Sequence, residues 1–163
     1  MHAGPVIVSF DGTPASVRAV RAAADLLAPR EAIVVVVWEA GRNFEVATLP
    51  ERALEEPPTT LDARTAFEAE EAAADDAKRL AEHGAQLGRE AGLQADGLAV
   101  ADEATVADTL IRLARERDAQ ALVVGAHHHR GLARLAHDGT LASLLDRAPC
   151  PVIVCDGESQ GTG

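Results

Sequence analysis

The stretch from Val123 to Thr140, VVGAHHHRGLARLAHDGT, holds the densest set of chemically useful residues in the chain. Gly125, Gly131 and Gly139 punctuate it, and Thr140 follows. Glycine lets backbone N–H groups turn inward with no side chain in the way, and a helix start adds amides at the positive end of its dipole. This is the chemistry of a phosphate cradle. His127, His128, His129 and His137 offer a second chemistry, as imidazoles ligate zinc or nickel. Side chains alternate along an extended chain, so His127 and His129 can converge while His128 cannot. No carboxylate or cysteine joins them at a recognisable ligand spacing, and no metal site is assigned.

A smaller polar group, Ser9, Asp11 and Thr13, follows an apolar run near the N-terminus. Asp11 there is either a ligand contact or the lead-in to a helix. Ser9 and Ser143 have no His/Asp partner arrangement, which excludes a hydrolase triad. The single lysine, Lys78, lies in an acidic segment and has no Walker-type surroundings. No catalytic residue is assigned, and an enzyme is not expected.

Positioning these groups requires regular elements. Residues 5–10 (PVIVSF) and 32–38 (AIVVVVW) are continuous apolar runs, as buried strands are. Thr13 is the expected N-cap and Pro14 the first residue of a helix with Val17, Val20, Ala24 and Leu27 on one face; Pro29 ends it. Residues 39–62, with Pro50, Pro57 and Pro58, read as a long loop. Residues 64–92 predict a long helix whose charges form a solvated face. Residues 93–100 predict a weaker strand. Residues 105–117 predict a helix capped by Thr105 with Asp108, with Val106, Leu110 and Leu113 as its apolar stripe. Residues 121–125 predict a strand, 140–147 a short helix and 151–155 a last strand. Residues 157–163 read as a flexible tail, leaving 1–156 as one domain.

Strands and helices alternate throughout. The expected fold is a three-layer α/β/α domain on a five-stranded parallel sheet, Rossmann-like. Ligands of such sheets bind beyond the carboxyl ends of the strands, where the winding direction reverses. The loops at 11–13 and 125–140 are the best placed for this.

Composition sets the outer limits. The 163 residues carry a net charge of -11, which argues against nucleic acid and anionic membrane as partners. Aromatic residues make up 2 %, so the core must be built from Val, Leu, Ile and Ala. Cys150 and Cys155, five apart, point to opposite faces of a strand and are not expected to pair. Neither a signal peptide nor a bilayer-spanning apolar run is present, so a cytoplasmic protein is expected.

Four stretches, VIVSFDGTPAS, AIVVVVW, ALVVGAHHHRGLARL and RAPCPVIVC, together resemble the universal stress proteins. The resemblance covers nearly the whole chain up to residue 156. It implies an adenine nucleotide alpha hydrolase-like fold and a homodimer paired through the last strand, here Pro151 to Cys155. It also implies ATP or ADP, with Mg, between the loops after strands one and four in members that keep a Gly-x2-Gly-x9-Gly-Ser/Thr pattern. Members without the pattern do not bind nucleotide, and the alternative expectation for this chain is a nucleotide-independent dimeric stress-response scaffold. Asp11 matches the family acid that faces the adenosine, and Gly125 matches the first motif glycine. His128 stands at the second, and Gly131 matches a further glycine of many members. Counting back from Ala148–Pro149 places Asp138 and Gly139 at the final Gly-Ser/Thr pair; a one-residue slip places Gly139 and Thr140 there. Trp38 falls at a side-chain wall of the family pocket, where it either stacks on adenine or packs in the core.

The two departures have a physical cost. His128 adds a ring where backbone must come close to phosphate. Asp138 is a natural N-cap that takes up helix-start amides. A carboxylate about 4 Å from a phosphate oxygen costs roughly 4 kcal/mol at an effective dielectric of 20. Arg130 and Arg134 in the same loop oppose this, and a divalent cation shared with Asp138 would reverse its sign.

Overall fold

The computed structural model describes residues 4–28, 30–40, 60–102, 104–126 and 139–156. The sheet is made of β1 (Val6–Ser9), β2 (Glu31–Trp38), β3 (Gln94–Ala101), β4 (Ala121–Gly125) and β5 (Val152–Cys155). Between them run α1 (Pro14–Leu27), α2 (Thr60–Glu90), α3 (Val106–Glu116) and α4 (Gly139–Arg147). The strands pair in parallel in the order β3-β2-β1-β4-β5. The three-layer fold and the element order match the expectation. The winding reverses between β1 and β4, so the crevice beyond their carboxyl ends is the topological switch point.

Each face of the sheet has its own core. Val6, Val8, Phe10, Val34, Val36 and Val123 point to the α1–α2 side and pack with Val20, Ala23, Ala81 and Ala85. Ile7, Val35, Leu122 and Val124 point to the α3–α4 side and pack with Leu110, Ile111, Leu113 and Leu144. The alternation along each strand produces this division. Coverage on both faces is why the central strands read as unbroken apolar runs. Cys155 lies in the first core and Cys150 in the second, and both thiols are free.

Helix boundaries follow local chemistry. Thr13 is the N-cap of α1, accepting from the Ser16 amide, with Pro14 at the helix start. Thr105 caps α3 by accepting from the Asp108 amide at 3.0 Å. The Asp108 carboxylate returns to the Thr105 hydroxyl at 2.7 Å, not to the Thr105 backbone as in a full capping box. The α2 helix begins at Thr60, four residues before the expected start at Arg64. No proline follows Pro58 to prevent this, and Leu61 and Ala63 favour helix. Its charges are solvated, as expected: Arg64–Glu68, Lys78–Asp75, Arg79–Asp76 and Arg89–Glu82 are exposed or partly exposed pairs. Most of the expected loop at 39–62, and all of the expected tail at 157–163, lie outside the described residues.

Candidate functional site

The site is built from the turn after β1. Phe10 is buried, and its amide donates to the Val35 carbonyl at 2.8 Å, which holds the end of β1 against β2. The chain then turns through Gly12, whose φ of 79° is costly for residues with a Cβ. Leu80 of α2 lies over this turn; a Cβ on Gly12 would meet its Cδ1 at 3.1 Å. Asp11 follows directly from Phe10 and is exposed.

A ring of hydrogen bonds fixes Asp11. Its Oδ1 accepts from the Thr13 amide at 3.0 Å and from the Thr13 hydroxyl at 2.5 Å. The Thr13 hydroxyl accepts in turn from the Ser16 amide at 3.3 Å. The Ser16 hydroxyl donates to the Thr13 carbonyl at 3.0 Å and accepts from the Asp11 amide at 3.3 Å. The Thr13 hydroxyl also lies 3.5 Å from the Ser16 hydroxyl oxygen, a longer alternative to its bond with Asp11. Asp11 is thus tied at its backbone and at its carboxylate to the first turn of α1. Ser16 is only 5 % exposed, which identifies it as a buried polar group with its partners supplied. Ser16 is not among the residues the sequence singles out; its only signal is its spacing of three from Thr13.

The end of β4 abuts this same turn. A Cβ on Gly125 would lie 2.4 Å from the Ala15 carbonyl oxygen and 3.0 Å from the Ser16 nitrogen. Gly125 therefore permits close helix–strand packing. That role differs from the one that suggested it, a glycine turned toward phosphate. Ser9, the last residue of β1, is in register with Val35 and shares the alternation that puts Ile7 on the α3–α4 side.

Trp38 ends β2 opposite Ala101 and packs, partly buried, against the α1–α2 core. Its carbonyl accepts from the Asp102 amide at 2.9 Å. The Asp102 carboxylate accepts from the Ala40 amide at 3.2 Å and so holds the chain leaving β2. Gly139 and Thr140 are the first two residues of α4, at the helix start required by the one-residue slip. No described atom lies within 4 Å of where a Cβ on Gly139 would sit. His128 and Gly131 lie outside the described residues, as do Asp138 and the other loop histidines. No group of three or more possible metal ligands occurs among the described residues.

The structure thus brings Asp11, Thr13, Ser16 and Gly125 together at the switch point. Ser9 ends β1 two residues before Asp11, and Trp38 ends the adjacent strand. Farther away, α4 is tied to α3 by Arg147, whose guanidinium donates to Asp108 at 2.7 Å. The Thr105 hydroxyl and then the Arg147 guanidinium hold the Asp108 carboxyl below its usual range. Burial pushes the Cys150 and Cys155 thiols up, away from the reactive thiolate form.

A doubly wound sheet with an acid held at its switch point defines a Rossmann-like class of α/β domain. A model of the universal stress protein family matches residues 3–156, and the chain belongs to that family. No curated protein sequence matches it. Among solved structures it is similar to hypothetical protein MJ0577, with 12 % identity, a TM-score of 0.70, and coverage of 98 % of this chain and 100 % of that one. It is similar to the universal stress protein from Archaeoglobus fulgidus in complex with dAMP, with 20 % identity, a TM-score of 0.60, and coverage of 94 % and 98 %. It is also similar to a universal stress protein family protein from Arabidopsis thaliana with AMP bound, with 15 % identity, a TM-score of 0.61, and coverage of 97 % and 94 %. At these identities the structural likeness establishes the shared fold.

Proposed function

We propose that this protein binds or senses an adenine nucleotide, ATP or ADP with Mg, as a homodimeric cytoplasmic module of a stress response. The observation that carries this reading is the fixed Asp11 carboxylate at the switch point between β1 and β4. A carboxylate only accepts, so it suits the hydroxyls or amino group of a nucleoside. The relatives that hold dAMP and AMP share the fold that creates this crevice. The ligand set comprises Ser9, Asp11, Trp38, Gly125, His128, Gly131, Gly139 and Thr140. Gly125 acts within it through the packing of α1, and Gly139 and Thr140 through the start of α4. The module has no catalytic role.

The homodimer forms through β5. This strand pairs with β4 on one side, and no described strand pairs with its other edge. Val154 on β5 is an exposed apolar residue. A second copy would cover that edge. A monomer by light scattering at micromolar concentration would refute this arrangement.

The binding test is direct. With one Trp and no Tyr, bound adenine raises the 260/280 nm absorbance ratio of the purified protein visibly. Calorimetry with Mg-ATP then gives the affinity. No bound nucleotide, and no heat up to millimolar Mg-ATP, would refute the reading. A second reading is a nucleotide-independent dimeric scaffold, and the replaced motif residues His128 and Asp138 favour it. The Asp138→Gly variant separates the two: it tightens Mg-ATP binding in a working site and leaves a vestigial one silent.

A further inference from the structure

We infer that Thr13, supported by Ser16, is a positioning residue for nucleotide recognition, acting through Asp11. This inference rests on the nucleotide-binding reading and adds to it the residue that keeps its acid in a competent orientation.

An exposed aspartate side chain is free to move. Its χ1 torsion has three staggered wells, and its carboxylate rotates broadly at χ2. Only a fraction of those states can meet a given ligand donor, and the apparent dissociation constant rises as that fraction falls. In this structure two donors of a single residue, the Thr13 amide and hydroxyl, converge on Asp11 Oδ1. The amide alone would fix the turn. The hydroxyl adds a second bond at 2.5 Å and is itself aligned by the Ser16 amide at 3.3 Å. The Ser16 hydroxyl closes the ring by holding the Asp11 amide. Leu80 of α2 lies against the turn at Gly12, so the loop meets both helices.

Valine at position 13 would remove the hydroxyl and keep the β-branched shape. The competent fraction of Asp11 then falls, and Mg-ATP affinity drops about threefold to tenfold. Thr13→Ser keeps the hydroxyl and restores the affinity. Loss of the helix cap alone would lower stability without this dependence on Asp11.

The experiment is a double-mutant cycle read by calorimetry with Mg-ATP on the full chain. It uses the wild type, Thr13→Val, Thr13→Ser, Asp11→Ala, and Asp11→Ala combined with Thr13→Val. The expected result is a loss in Thr13→Val, recovery in Thr13→Ser, and no further loss when Thr13→Val is added to Asp11→Ala. Circular dichroism confirms that each variant is folded, and Ser16→Ala gives a second, milder break of the ring if Thr13→Val fails to fold. An equal loss from Thr13→Val in both backgrounds, or none in either, overturns the positioning role while leaving nucleotide binding intact. A wild type that binds no Mg-ATP, or an Asp11→Ala variant that binds as well as wild type, overturns the nucleotide reading and this inference together.

Discussion

Gly125→Ala is the sharpest test of how the site is assembled. The added Cβ would lie 2.4 Å from the Ala15 carbonyl oxygen, 2.6 Å from the carbonyl carbon and 3.0 Å from the Ser16 nitrogen. Favourable non-bonded contact begins at roughly 3.5 Å, so the first turn of α1 must retreat by about 1 Å. It has little room to do so. Ala19 and Ala23 of the same helix are fully buried against the sheet. The obstructing atoms are backbone, which cannot change rotamer. Overpacking costs about 1–3 kcal/mol, and a backbone obstruction belongs at the upper end, near 3 kcal/mol. For a chain of 163 residues this lowers the melting temperature by roughly 6–12 °C. Thermal and urea unfolding followed by circular dichroism measure it. Ala15→Gly should give no rescue, because the clash is with the Ala15 backbone. Gly139→Ala is the comparison: no described atom obstructs its Cβ, and it should be neutral or stabilising by up to about 1 kcal/mol. A Gly125→Ala variant within about 0.5 kcal/mol of wild type would refute the packing argument.

Two further predictions concern titratable groups. The Thr105 hydroxyl and the Arg147 guanidinium depress the folded-state affinity of Asp108 for a proton, so this carboxylate stabilises the fold above about pH 4 and ceases to as pH falls below it. The stability gap between wild type and Asp108→Asn should therefore narrow as pH falls below about 4; a gap that stays constant as the pH is lowered further would contradict the assignment. Cys150 and Cys155 are each 9 % exposed, lie in cores on opposite faces, and have raised thiol pKa values through burial. Both should resist a thiol reagent at pH 7.5 until the protein unfolds, and rapid labelling of the native protein would refute this.

The features legible in the sequence are those governed by local rules. Thr13 and Pro14 announced α1 because a hydroxyl cap and a preset φ act within one turn. The runs at β1 and β2 announced buried strands because both sheet faces are covered. Gly125 stands out in the sequence, but the pressure on it comes from Ala15, in the first turn of α1 and far earlier in the chain. The Arg147–Asp108 bond spans 39 positions and the Asp102–Ala40 bond 62, so no local pattern signals either. Ser16 read as an ordinary helix residue, because its importance depends on the Asp11 amide folding back onto it. Topology creates these contacts, and a periodicity argument cannot reach them.

The same contacts decide which end of a ligand each helix start can receive. Pro14 has no N–H, the Ser16 amide is taken by the Thr13 hydroxyl, and the Val17 amide by the Thr13 carbonyl. Among the described first-turn donors of α1 only the Ala15 amide has no bond of this kind, and the Asp11 carboxylate is held at the helix cap by the Thr13 amide. This end repels phosphate: a charge about 4 Å from Asp11 costs roughly 4 kcal/mol at an effective dielectric of 20, close to three decades in affinity. In the proposed nucleotide complex the phosphates would run away from α1, toward the start of α4 at Gly139 and Thr140, with the nucleoside at Asp11. Asp11→Asn tests this orientation, because it removes the charge and keeps the shape. It should weaken adenosine and Mg-ATP by the same factor and leave the affinity for pyrophosphate unchanged. If Asp11→Asn instead tightens pyrophosphate binding by a decade or more, the phosphates lie against Asp11 and the proposed orientation is wrong.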